Sequence, residues 1–312
     1  MGSGCLPKKP DVKIVKNVQI FPYKFASKEE GLNYKVTFKK FMDSLSQYDL
    51  DYRVQKKNAT KEEYIAFLSE HFLNFTKEEM VAIDKVMRKI EEIVRINEYS
   101  NIPKIETITF AKTTQKEECG SLAYTHGSYI YIESKLLKLN ELLRLICHEI
   151  FHCISRTNRI FREDMYKIIN FTVIKEEFVI PDEVKVKMIT NPDVERHDSY
   201  ATFTINNKKK DCYLALISSK PYEQKGDNFF RHLQTVLVPV NWEGRYYYSS
   251  EAQDFGQILG TNTDFAIDPE ECLADNFSYA LLYGINGKNG KGYPNPEIVE
   301  DIIDYLKYNS NK

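Results

Sequence analysis

Residues 134–156 constrain this chain more than any other stretch. Leu136, Leu137, Leu139, Leu142, Leu143, Leu145, Ile146, Ile150, Phe151 and Ile154 recur at helical spacing, and in the second half they occupy nearly every side. Such a helix has no face to offer water, so the remainder of the chain must cover it. A chain of 312 residues has enough material for that without disulfide or metal staples. The same helix nevertheless contains His148-Glu149-Ile150-Phe151-His152, whose polar side chains are costly to bury unless each finds a partner.

Two histidines four residues apart lie one turn apart on one helix face, so both imidazoles can reach a single metal ion. Glu149 can reach a water on that metal without being a ligand, and zinc lowers the pKa of such a water to about 7. With 6 His and 45 acidic residues in 312, roughly 0.02 chance matches to this pattern are expected. A catalytic zinc usually takes a third protein ligand. The segment from Asp268 to Phe277 offers Glu271 and Asp275, four apart on one helix face, the first as ligand and the second as hydrogen-bond partner of a ligating histidine. Gly260-Thr261-Asn262-Thr263-Asp264 resembles the Gly-Thr-x-x-Asp element of the aspzincins, and that resemblance makes Asp264 the alternative third ligand.

These motifs together resemble the zinc metallopeptidases of the gluzincin type. The resemblance implies one Zn2+ per chain held by His148, His152 and Glu271, with Glu149 as general base and Asp275 behind a histidine ligand. It also implies that the strand 129–132 before the helix is a sheet edge that pairs with extended substrate. The chain departs from the compact members in spacing, since Glu271 follows His152 by 119 positions. The stretch of about 170–250 between them is then a β-rich insertion or a lobe of its own. The element around Asp264 lacks the Tyr-Gly that follows it in the aspzincins.

Elsewhere the pattern predicts an α+β fold: a helical N-terminal region over 1–103, then a zincin-like catalytic region over 104–312 that contains the insertion. Ser27 with Glu30, Thr60 with Glu63, and Thr76 with Glu79 have capping-box spacing at helix starts. Strands are expected at 105–112 and 128–133, and extended runs at 171–174, 200–205, 213–217 and 236–240. A helix should begin at Pro269 and run to about Tyr283, followed by a Gly/Asn-rich loop and a short helix ending near Tyr308.

A net charge of −2 gives no global basic field, which argues against a nucleic-acid partner. No apolar run reaches the length of a transmembrane helix. Residues 1–10 contain no apolar signal stretch, so a cytoplasmic location is expected, or secretion after a signal has been removed. The six Cys are sparse, and Cys147 and Cys153 read as small buried residues. His197, Tyr247, Tyr200, His232, Tyr246 and Tyr248 are further candidates for an oxyanion donor. Asn191-Pro192-Asp193 reads as a turn, with Asp193 a second choice as ligand, and His126 reads as a turn residue. The function expected is a single-zinc endopeptidase acting on a polypeptide. The competing expectations are a non-catalytic zinc module closed by Cys147, Cys153 or Asp264, and a zinc hydrolase of a non-peptide substrate.

Overall fold

A computed structural model describes residues 19–133 and 139–308. The expected first turn of the central helix, 134–138, lies outside the described residues, as do residues 1–10 with Cys5. The helices are α1 (Lys28–Thr37), α2 (Lys39–Ser44), α3 (Gln47–Val54), α4 (Lys61–His71), α5 (Lys77–Ile96), α6 (Leu139–Thr157), α7 (Arg159–Ile168), α8 (Asp182–Lys185), α9 (Phe255–Leu259), α10 (Pro269–Tyr283) and α11 (Pro296–Lys307). The strands are β1 (Tyr23–Phe25), β2 (Phe72–Leu73), β3 (Ile108–Thr113), β4 (Ala123–His126), β5 (Tyr129–Glu133), β6 (Thr172–Val173), β7 (Ser199–Ile205), β8 (Lys208–Ser218), β9 (Leu233–Pro239) and β10 (Tyr247–Tyr248). The fold is α+β, and no described helix is long and apolar enough to cross a membrane.

The first sheet grows around β3, which is buried along its whole length because both faces are covered. Ile108, Phe110, Ile130 and Ile132 face a core shared with α5 and α6, while Ala111 and Tyr131 face a second cluster under α1, α2 and α4. The order is β1-β3-β5-β4, with β1, β3 and β5 parallel and β4 antiparallel. The expected edge, strand 129–132, is therefore interior, flanked by β3 and β4. The antiparallel hairpin puts β4 on the rim instead.

Of the N-terminal region, the described residues 19–103 are mostly helical, as the caps indicate. Thr60–Glu63 and Thr76–Glu79 bond reciprocally at the starts of α4 and α5. Ser27 caps α1, but Glu30 turns away to Lys24. The region is not separate, however, for β1 and β2 pair with β3, and Phe21, Ile83 and Ile90 share one core with Ile150 and Phe277. The 170–250 stretch forms an antiparallel sheet, β10-β9-β8-β7-β6. Phe203, Leu214 and Leu237 enter the same core from one face of it, and Ala215, Ile217 and Val236 form a cluster on the other. The 170–250 stretch thus shares its core with α5, α6 and α10 and is not set apart as a lobe.

Against this core lie α6 and α10. Phe151 packs at a tilt against Phe161 and Phe277, with 5.6 and 5.5 Å between centroids, and each such buried ring is worth about 1.5–3 kcal/mol. Asp268 caps α10 and Pro269 opens it. Because α10 is buried from Pro269 through Ser278, Glu270, Glu271 and Asp275 are largely removed from bulk water.

His126, expected in a turn, ends β4 inside an aromatic box of Phe38, Phe41, Tyr124 and Tyr131, and neither ring nitrogen has a hydrogen-bond partner. Burial holds its pKa well below the usual 6.5, and Lys35, Arg53 and Arg156 oppose its charge further. The unfolded chain therefore binds this proton more readily, so stability falls as pH drops below about 6.5, by up to about 1.4 kcal/mol per pH unit. Replacing His126 with Leu should flatten that slope in urea melts taken between pH 5 and 7. An unchanged slope would show that the box readily accepts the charge.

Candidate metal centre

The two histidines of α6 point across to α10, and each is gripped by a carboxylate there. His148 Nδ1 lies 2.9 Å from Asp275 Oδ1, and His152 Nδ1 lies 3.1 Å from Glu270 Oε1. A carboxylate only accepts, so both Nδ1 atoms carry a proton, and in the neutral rings both Nε2 atoms then present a lone pair. Those lone pairs converge on Glu271 Oε2, at 3.1 Å from His148 and 3.7 Å from His152. Three lone pairs facing one another are unfavourable unless a cation lies between them. Ligands about 2.05 Å from a tetrahedral zinc stand about 3.3 Å apart, which falls between the two separations. The ligand atoms of His148, His152 and Glu271 all lie within 4.8 Å of one another. These residues fit a zinc ion in donor chemistry and in spacing, and His152 Nε2 is buried with no hydrogen-bond partner.

The carboxylates are held in turn. Glu270 accepts from Ser155 and from Tyr166 Oη, the latter at 2.6 Å. Asp275 accepts from Arg144 at 2.8 Å and from Thr263. Gly260 lets the 260–264 loop close over Asp275: its φ is +76°, and a side chain there would meet Ile298 Cδ1 at 2.4 Å. Asp264, the alternative third ligand, follows Thr263 but is exposed on the cavity rim and is not among the converging groups.

Glu149 stands beside this cluster, 2% exposed, with Oε2 unpartnered. Burial pushes its carboxyl up to about 8, Asp193 adds to the rise, and His148 and His152 offset part of it. Burial disfavours charge on His148, yet the hydrogen bonds it donates to Asp275 and Glu271 push its pKa up to about 9 in the metal-free protein. Burial likewise opposes ionisation of Glu271, but His148 and His152 outweigh it and hold the group well below the usual carboxylate range.

A cavity of about 530 Å³ opens onto His148, Glu149 and Glu271. Its other walls are Gly120 to Tyr124, the Thr190–Asp193 loop, Phe229, Phe230, Leu233, Phe265 and Tyr279. Glu270 and Asn191 escaped the sequence analysis, which gave Asp193 only as a second-choice ligand. Glu270 is not singled out by the pattern, although its adjacency to Glu271 was available as a signal. The insertion contributes Asn191, which donates to Glu271 Oε1, and Asp193, whose carboxylate lies within 4.8 Å of the ligand atoms of Glu149 and His152. Nothing in the spacing linked that turn to α6. His197 lines a different cavity beside Phe41 and Glu177. Tyr247 donates its hydroxyl to Glu243 on the second sheet. Neither reaches the cluster. Cys147 and Cys153 pack into the apolar core, and burial raises both thiols.

Compared with protein-family models, curated proteins and solved structures, the chain finds no match in any of the three.

Proposed function

We propose that the chain is a zinc-dependent peptidase in which Glu149 is the general base. The observation that carries this reading is the pair of histidines, each with Nδ1 on a carboxylate and Nε2 aimed at Glu271, beside a buried base with one free oxygen. His148, His152 and Glu271 would hold the ion, which when bound supplies a Lewis acid for the scissile carbonyl and a water of lowered pKa. Glu149 Oε2 takes the proton of that water and passes it to the leaving amine. Asp275 and Glu270 keep the imidazoles in the ligating tautomer. Tyr279 and Arg144 line the cavity as donors for developing oxyanion charge. The edge strand β4 borders the same cavity through Ala123 and Tyr124, which favours an extended peptide over other acyl substrates. A closed structural site is disfavoured, because among the described residues no fourth ligand joins the His148–His152–Glu271 group.

Elemental analysis of the wild type and of His152→Ala, run side by side, tests this first. About one zinc per chain is expected in the wild type and none in the variant. A chelator should abolish cleavage of a peptide library by the wild type, and added zinc should restore it. No stoichiometric metal in either protein would overturn the reading.

A further inference from the structure

Antiparallel pairing alternates residues that bond the neighbouring strand with residues that face away from it. On β4 the outward-facing positions are Ala123 and Thr125, because the Thr125 N–H leaves the sheet and donates to Asp193 Oδ1 at 2.7 Å. Just past the strand, the Gly127 N–H donates to Glu195 Oε1 at 2.7 Å. Two carboxylates of the insertion thus occupy the edge amides that an extended peptide would use. Arg156, one turn after His152 on α6, locks them there. It donates to the Pro192 and Asp193 carbonyls at 3.1 and 2.8 Å and reaches Glu195 at 3.1 Å. The cavity agrees with this, since its lining from β4 stops at Tyr124. Ala123 remains, with no backbone partner outside the hairpin among the described residues.

We propose that Asp193 and Glu195, clamped by Arg156, are specificity-determining residues that cap the sheet edge and confine cleavage to bonds near one end of a peptide. This rests on the peptidase reading. The cap starts beside the reacting groups, with Asp193 within 4.8 Å of Glu149 and His152. At about 3.3 Å of extended chain per residue, that leaves room for about one or two residues on the capped side. Ala123 and the open cavity take the rest of the chain on the other side. The endopeptidase expected from the sequence gives way to an enzyme that trims ends.

Mapping cut positions by mass spectrometry, in peptides of increasing length, tests the cap without relying on rate. The wild type should cut about one or two residues from the same end whatever the length. The double variant Asp193→Ala/Glu195→Ala should add cuts at interior bonds, with faster amide exchange at Thr125 and Gly127. Asp193→Asn should keep the wild-type pattern, because its carboxamide oxygen still accepts from Thr125. Interior cutting by the wild type as frequent as terminal cutting would overturn the cap and leave the peptidase standing. No cutting by any of these proteins would overturn the peptidase reading and the cap with it.

Discussion

Glu149→Gln is expected to keep its zinc and lose turnover by a factor on the order of 10²–10⁴ in kcat, with KM little changed. The substitution keeps the shape of the side chain and removes only its ability to take and return a proton. His148, His152 and Glu271 do not depend on Glu149 for their orientation, since Asp275 and Glu270 hold the rings and Asn191 holds the third carboxylate. In the metal-free protein burial and the neighbouring Asp193 push the Glu149 carboxyl above its usual range, His148 and His152 pull against them, and a bound dication beside it would draw the pKa back down. A base must be ionised to act, so kcat in the wild type should rise as pH increases through the Glu149 pKa. The residual rate of the Gln variant should lack that limb. The measurement is a pH profile of kcat for both proteins, with zinc content taken on the same samples. A variant that cleaves as fast as the wild type would show that the proton leaves by another route.

How much of this was legible depends on how local each signal is. The His148-Glu149-x-x-His152 turn, its buried helix and the Pro269–Tyr283 helix are set by spacing within one or two turns, and they lie where the pattern indicates. The edge of the sheet was misplaced for a physical reason. Both Ala123–His126 and Tyr129–Glu133 are short strands with aromatic or β-branched residues, and only their pairing with β3 decides which is inside. The pairing of Glu270 with His152 required knowing how α10 is rotated against α6, and a buried helix has no polar face from which to read that rotation. Asn191 was beyond reach for another reason, and Asp193 was legible only as a second-choice ligand in a turn. They come from a turn some forty residues after His152 and meet the site only because the second sheet packs on the common core.

The second large effect is expected far from the histidines, at Glu118. Its carboxylate is buried between Lys35 Nζ at 2.6 Å and Arg53 Nη2 at 2.8 Å, with Tyr64 Oη donating at 3.1 Å. Arg53 continues the network to Asp49, and Asp49 accepts from both the N–H and the hydroxyl of Thr190 at 2.9 Å. Two buried cations thus face two buried anions, Lys35 and Arg53 against Glu118 and Asp49. Burial opposes ionisation of Glu118, but Arg53 and Lys35 outweigh it and hold its pKa below the usual value. Its stabilising contribution is therefore present above the unfolded pKa of about 4.5 and is lost as pH falls through the lower folded value. Glu118→Ala leaves two buried cations facing one anion, and breaking a buried pair in this way costs about 3–5 kcal/mol. For a chain of this size that lowers Tm by roughly 5–8 °C. The loss should also reach the candidate site, because Thr190 precedes Asn191 and Arg53 Nη2 donates to the Thr190 carbonyl at 2.7 Å. Glu118→Ala should therefore loosen the loop that holds Glu271 and caps β4, visible as faster amide exchange across 189–195 well below the melting transition. A variant that melts within about 1 kcal/mol of the wild type would mean that water or a rearranged Asp49 compensates the two cations. In that case the loop has an anchor other than this network.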